Sequence, residues 1–365
     1  MRLFVNAYGA FVRVKDGMFE VSAKLEGERR TRRFAANKIS GLSLSRGTAI
    51  SSEAVKLAIE RGIDVAFVER DGMPLGRVWY SRFGGVAKVR KRQLVASLDA
   101  EGVGYVKDWI SGKLAKRASF LRSLKKRRES KAEFIDAKIA DIERYKATVE
   151  SVAAACVADV ADTIRSAEGA AGRAYFDALS ALVPKEWRFA GRSFRPAKDP
   201  FNAFLNYAYG VLYSRVEKAL TIAGVDPYLG FLHRDDYNHP SMVFDFIEPF
   251  RVYAEETVFK LFSRKKVRQE HVDRLANGVT LNKEGKALLI QSYMAFLDEE
   301  TTTYKAKKHT RGNVIHYEAH AFASRLLKKP SAKEAAKTFD LLGSLRREER
   351  PDEEQGGEEL PTSRT

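Results

Sequence analysis

Asp245 and Glu248 stand three residues apart in the segment SMVFDFIEPFR, residues 241–251. On a helix that spacing turns both carboxylates to one face. Val243, Phe244, Phe246 and Ile247 surround them, and a carboxylate in such company needs a partner or a metal, because burying an unpaired charge is costly. A salt bridge to Arg251 or to another arginine would meet that need; so would a bound cation. Pro249 follows Glu248 directly and, lacking a backbone donor, is expected to bend the chain there.

His233 closes the apolar approach PYLGFLH at the edge of a polar loop. It is either a rigidly presented ligand or a structural histidine. All six histidines lie beyond residue 230, and His239, within RDDYNHP, competes for the same role. Glu168 stands beside Gly169, Ala170, Ala171 and Gly172. A glycine inside a helix costs about 1 kcal/mol relative to alanine. Such a cost makes sense where another backbone or a DNA strand must approach closely; tight helix packing with Glu168 merely exposed is the other reading. Two glutamates and one histidine suit a hard divalent cation, since oxygen donors are preferred and Mn2+ also accepts imidazole. With positions left for water and phosphate, such a centre suits phosphodiester chemistry: the metal polarises a phosphoryl oxygen and stabilises the attacking or leaving oxygen.

Other chemistries are excluded by what the chain lacks. It contains no Gly-rich loop ending in Lys-Ser/Thr, no HExxH and no GxSxG, so a nucleotide-hydrolysing motor and a serine hydrolase are not expected. The single cysteine, Cys156, lies in the apolar run 152–160 and reads as a small core residue. One cysteine allows neither an internal disulfide framework nor a Cys-rich zinc site.

The partner is suggested by charge. The chain carries 64 Lys and Arg against 48 Asp and Glu, a formal net charge of +16. An excess of this size points to a polyanion, nucleic acid before an anionic membrane surface, with solubility charge as the plain alternative. Residues 113–128 hold eight Lys or Arg and no acid. With Leu114, Phe120, Leu121 and Leu124 on the buried side, that run is either a solvated helix face or a phosphate-contacting one. No apolar run reaches the length of a membrane span. The N-terminus MRLFVNAYGAF lacks the features of a signal peptide, so a cytoplasmic location is expected.

The elements that must position these residues fall into an α+β pattern: a β-rich N-terminal domain over residues 1–85, an all-helical domain over 86–345, and a disordered tail over 346–365. Val12 and Val14 alternate with Arg13 and Lys15, and Asp16-Gly17 supplies a tight hairpin turn. Residues 39–44 form another short apolar stretch. Ser51 or Ser52 can cap a helix with Ala54, Leu57 and Ala58 on one face and Gly62 past its end. Ile63, Val65 and Phe67 then alternate as a strand, and Asp71-Gly72 turns the chain. Residues 81–89, with Gly84-Gly85, read as the linker. Beyond about residue 90 the period is helical. Asp199-Pro200 is a cap followed by proline at the first helical position, and Phe204, Tyr207, Ala208 and Val211 follow at helical spacing. Residues 288–297 continue the helical pattern. The tail is polar and too poor in apolar residues to offset the entropy of ordering it.

Taken in order, EGAAGRAYF around Glu168, DPFNAFLNYAYGVLY at 199–213, DPYLGFLH ending at His233 and DFIEPFR around Glu248 resemble the integrase of CRISPR adaptation, the endonuclease-like protein that inserts new spacers into a repeat array. The resemblance spans nearly the whole chain apart from the tail. It implies an N-terminal β-rich domain that dimerises and a helical catalytic domain, with Mn2+ or Mg2+ held by Glu168, His233 and Glu248. It leaves Asp245 as a supporting or substitute ligand. It further implies a homodimer, assembly with a small ferredoxin-like adaptation partner, and double-stranded or branched DNA as substrate. The implied reaction is transesterification, in which a 3′-hydroxyl attacks a phosphodiester, with DNA cleavage as a side activity. Two alternatives remain: a stand-alone metal-dependent nuclease of DNA repair using the same three residues, and a non-catalytic nucleic-acid-binding protein in which they are structural.

Overall fold

The alternation of Val12 and Val14 with Arg13 and Lys15 does fold as a hairpin. Strand β2 (Phe11–Lys15) pairs antiparallel with β3 (Met18–Leu25) through Asp16 and Gly17, both at positive φ. That is the geometry a two-residue hairpin turn requires and the reason an Asp-Gly pair suits it. In this computed structural model, which describes residues 1–25, 27–69, 72–78, 86–233 and 239–328, β4 (Glu28–Ala35) adds to β3, and β6 (Ala49–Ile50) adds to β2, giving the order β4-β3-β2-β6.

A second four-stranded sheet has the order β1-β5-β7-β8. Strands β1 (Arg2–Val5), β5 (Gly41–Ser45) and β7 (Asp64–Val68) run parallel, and β8 (Pro74–Val78) returns antiparallel. Between β6 and β7 comes α1 (Ser52–Glu60), whose cap Ser51 accepts from the Ala54 amide at 3.2 Å. Val12, Phe19, Leu42, Leu44, Ala54 and Ala58 share one buried core.

The helices follow. They are α2 (Val86–Ser97), α3 (Ala100–Lys125), α4 (Ala132–Ser151), α5 (Ala161–Leu182), α6 (Pro200–Ile222), α7 (Ser241–Phe246) and α8 (Arg251–Ser263), then α9 (Lys283–Met294) and α10 (Arg311–Leu326). Asp199 caps α6 by accepting from the Asn202 amide at 2.8 Å. Helix α6 is buried along most of its length, as an apolar helix without a polar face must be. Tyr175, Phe204, Phe246, Phe259 and Phe322 meet in the helical core around it.

Several expectations are corrected. The second part is largely, not wholly, helical: two hairpins, β9 (Val272–Leu275) with β10 (Gly278–Leu281) and β11 (Thr301–Tyr304) with β12 (Lys307–Thr310), interrupt it. Their strands are only four residues long, too short for period-2 alternation to stand out from helical spacing. Cys156 is half-buried on the irregular connection between α4 and α5, not a core residue. Of the supposed linker, 86–89 are already helix α2, and 81–85 lie outside the described residues, as do Asp71 and the tail.

The β-rich part meets the helices through buried charge. Arg77 on β8 donates to the Ser214 carbonyl at 2.6 Å, to Ser214 Oγ at 2.9 Å and to Glu217 at 3.1 Å on α6. Arg77 and Arg2 also clasp Asp64 from two sides, and Lys218 Nζ lies 3.9 Å from it.

Candidate active site

Each of the three candidate residues lies on a different element. Glu168 is in the middle of α5. His233 ends the loop that follows α6. Glu248 opens a single 3-10 turn, Glu248–Phe250, between α7 and α8. Pro249 at its second position explains the break: α7 cannot continue as α-helix past it.

The loop carrying His233 is held by Asp245. Its Oδ2 accepts from the amides of Phe231 at 2.5 Å and Leu232 at 2.9 Å. Its Oδ1 accepts from the His233 amide at 3.1 Å and lies 2.5 Å from His233 Nδ1. Helix α5 adds a hydrogen bond from Arg165 to the Leu232 carbonyl. Gly230 has a steric reason: a Cβ there would lie 2.5 Å from Cβ of Ser241, so a larger residue would push the loop off α7. Asp245 is fully buried and its four acceptances are made. It is therefore occupied in orienting His233, and with Nδ1 engaged, Nε2 is the ring's remaining ligand atom. Burial works against a charge on His233, but the hydrogen bond and charge of Asp245, with the charge of Glu248, raise its pKa on balance. His239 instead stacks on Phe244, ring centroids 4.3 Å apart, and faces Ser241.

Glu248 is buried between two cations. Arg251 Nε donates to Oε1 at 2.8 Å, and Lys113 Nζ from α3 lies 2.5 Å from Oε2. Burial opposes the charge, yet Arg251 and Lys113 outweigh it and hold the carboxyl at about 2. The pair with Arg251 that the spacing allowed is thus made, and a second oxygen is left over. Lys113 Nζ is also 2.5 Å from Glu168 Oε1. One ammonium therefore draws together two glutamates from elements 80 residues apart in sequence, their oxygens at most twice that distance apart. Despite its ion pair, Glu248 Oε2 makes no well-aligned hydrogen bond.

Beneath lies a second buried pair that the sequence did not suggest. Arg117 of α3 donates to both carboxylate oxygens of Glu255, Tyr209 donates to Glu255 Oε1 at 2.7 Å, and the guanidinium sits over the Tyr175 ring at 4.7 Å. The basic run 113–128 is therefore not one surface. Lys113 and Arg117 point inward to carboxylates, and Lys116 donates to the Pro249 carbonyl at 2.7 Å. Arg122 and Lys125 pair with Glu143 and Asp136 on the outside. A run of like charge gives no hint of this, because the acids that receive it come from α4, α5, α8 and the turn at Glu248.

Lys113, Glu168 and Arg251 open on a cavity of about 520 Å3, also lined by Arg173, Arg192 and Phe194. Gly169 and Gly172 line it too; a Cβ at either would find its nearest neighbour, an arginine nitrogen, at 3.8 Å. No backbone approaches them, so the glycines leave room over Glu168 instead of packing a helix. A larger cavity of about 700 Å3 lies on the Pro249 and Phe250 side of the same turn and is lined by none of the three candidates.

Among the described residues no three His, Cys, Asp or Glu side chains form a ready metal cluster. The donors nonetheless fit a divalent cation: a cationic group already sits between two glutamates, one buried carboxylate oxygen lacks a hydrogen bond, and a histidine within electrostatic reach of Glu248 is oriented by a carboxylate.

Fold and site together define an α+β protein whose helical part holds an acid–histidine centre among buried cations. A family model described as CRISPR associated protein Cas1 matches residues 3–295. CRISPR-associated endonuclease Cas1 1 of Archaeoglobus fulgidus is 31% identical over 326 residues, covering 86% of this chain and 93% of the relative. Among solved structures, a casposase bound to integration product aligns with a TM-score of 0.76 at 20% identity, over 94% of this chain and 99% of that one. A Cas6-RT-Cas1–Cas2 complex aligns with a TM-score of 0.70 at 18% identity, over 89% of this chain and 35% of that one. The chain belongs to the Cas1 family.

Proposed function

We propose that this chain is a metal-dependent DNA endonuclease and integrase that inserts spacer DNA into a CRISPR array, with Glu168, His233 and Glu248 holding Mn2+ or Mg2+. The observation that carries the reading is Lys113, a cation seated between two glutamates beside an arginine-lined cavity. Bound there, a divalent cation would polarise a phosphoryl oxygen and stabilise the charge that develops on attack. The chain's own residues do the rest. Asp245 fixes the ring of His233, and Arg251 keeps Glu248 ionised and in place. Arg192 is anchored by Asn202 and Asn206 and, with Arg173, offers guanidinium groups to phosphates in the cavity, a geometry suited to bidentate contact.

The reaction is a displacement at phosphorus. The 3′-oxygen of the incoming fragment bonds to a phosphorus at the repeat boundary as the bond from that phosphorus to the target strand's 3′-oxygen breaks. The attacking hydroxyl gives up its proton and the departing oxygen takes one, so no covalent enzyme intermediate is needed. Water in place of the hydroxyl makes the same step hydrolysis. A second copy of the chain would supply a second site for the other strand. The Cas1–Cas2 assembly among the structural matches supports a small ferredoxin-like partner bridging such dimers.

The test is strand transfer with supercoiled array plasmid, labelled fragment, Mn2+ and the small partner. Wild type should join; Glu168→Ala, His233→Ala and Glu248→Ala should each fail, and the triple variant should be no worse, because residues acting as one unit are non-additive. A dead Asp245→Ala beside an active Glu248→Ala would overturn the ligand assignment. Cleavage of branched DNA without any joining would favour the repair nuclease.

A further inference from the structure

Strand β4 reads ERRTRRFA: four arginines and one acid in eight residues, every one from Glu28 to Arg33 exposed. It is the terminal strand of its sheet, paired only with β3, so its outer edge and one face meet solvent. The register sets Arg33 opposite Glu20, and Arg13 on β2 opposite the same Glu20 from the other side. Glu20 is buried under the two guanidiniums, accepting from Arg13 Nε at 2.7 Å and Arg33 Nε at 2.9 Å. Arg29 lies 3.5 Å from Ser22 Oγ, one step along the same face, and Lys15 and Lys24 are exposed on it as well. One carboxylate thus ties down two arginines and leaves their remaining N–H groups outward, while the other basic residues of the face add charge that Glu20 does not cancel.

We infer that this arginine-bearing face of the β4-β3-β2 sheet is a docking surface for the phosphate backbone of duplex DNA. The inference rests on the reading that DNA is the substrate and goes beyond it by saying where the duplex lies. Charge complementarity carries it: a flat basic surface matches closely spaced phosphates, and arginine's planar fork suits phosphate oxygens. The chief rival occupant is a second copy of this chain adding its own β4 at the edge. Charge argues against that. A two-fold antiparallel pairing centred on Thr31 would set Arg30 against Arg32 and Arg29 against Arg33, and like charges directly opposite are destabilising. Arginines on an open edge also discourage strand addition. The basic run on α3 is no substitute, since its inner members are spent on buried carboxylates.

The experiment uses the full chain in EDTA, so that binding is read without reaction and the ligand assignment does not enter. Affinity for a random-sequence duplex is measured across salt concentrations for wild type and for Arg29→Gln/Arg30→Gln/Arg32→Gln. The expected result is a log–log salt slope shallower by about 0.9 for each arginine that touches phosphate, with the oligomeric state by sedimentation unchanged. The same positions as lysine should restore the slope. Should the glutamine variant fail to fold, wild type answers by itself: modification of Arg29, Arg30, Arg32 and Arg33 by phenylglyoxal, read by mass spectrometry, should slow when duplex is added. An unchanged slope, or modification indifferent to DNA, would overturn the proposal. An unchanged slope with conversion to monomer would assign the surface to a second copy instead.

Discussion

Asp64 and Glu248 are both carboxylates with 2% of the side chain exposed, both are flanked by arginine and lysine, and both are held ionised at about 2. One sits where the first sheet meets α6, the other where α3, α5 and α8 meet. At Asp64 each oxygen takes an arginine, Arg2 on Oδ2 and Arg77 on Oδ1, and Arg77 then spans to Ser214. At Glu248 one oxygen is served by Arg251, but the other has an ammonium beside it and no well-aligned hydrogen bond, and that ammonium is shared with a glutamate that opens on a cavity. A depressed pKa therefore does not separate structure from function in this chain. What separates them is whether the carboxylate's coordination is finished by the protein.

The contrast can be broken most directly by removing each carboxylate. Glu248→Ala should abolish metal-dependent joining and cleavage. Asp64→Ala should leave the chemistry per folded molecule intact while costing about 3–5 kcal/mol in denaturant unfolding, because Arg2 and Arg77 would be left buried and unpaired. If Asp64→Ala proves as inactive as Glu248→Ala at full folded occupancy, the two clusters are not distinct in kind.

A smaller effect is expected at Asp245. Asp245→Asn keeps the shape but weakens the hold on Nδ1 of His233, and loss of such a supporting partner typically costs about 10–100-fold in metal affinity. Calorimetric titration with Mn2+ measures it; an affinity equal to wild type would show that His233 needs no orientation.

Lys113→Met sharpens the comparison from the other side. Without the ammonium, Glu168 and Glu248 repel each other when no metal is present. Melting temperature in EDTA should fall by a few degrees, as about 1 kcal/mol would give in a domain-sized protein, and the rise on adding Mn2+ should exceed that of wild type. Equal metal-induced shifts would mean that Lys113 and the cation do not share a place.

The smallest effect concerns acid. His316 on α10 is held neutral down to about 4, first by burial and then by Lys218, Arg215 and His320, against a pull from Asp64. An unfolded histidine takes up its proton from about 6.5 downward, so the unfolded state binds more protons between those values. The stability contributed by a neutral His316 is complete above 6.5 and is lost as pH falls toward 4. His316→Asn should flatten unfolding free energy against pH in that window; an unchanged slope would assign the acid sensitivity to other groups.

Much of this molecule was legible in its residues. The Asp16-Gly17 turn, the Ser51 cap, the Asp199-Pro200 helix start and the apolar stripe of α6 are local signals, set by backbone conformation and by hydrophobic period within a few turns of chain. Glu168, His233, Asp245 and Glu248 could also be picked out, since polar groups in apolar or glycine-rich company are rare and costly. What the residues by themselves left open was which of those groups meet, and through what. The division of labour between Asp245 and Glu248 depends on a turn that Pro249 imposes, which sends one carboxylate to the loop of His233 and the other toward α3. Lys113 looked like one charge in a run of eight. Only the packing of α3 against α5 and the Glu248 turn takes it from solvent and seats it between two glutamates, because the partner of a buried charge is chosen by which helices come together, and chain order says nothing of that.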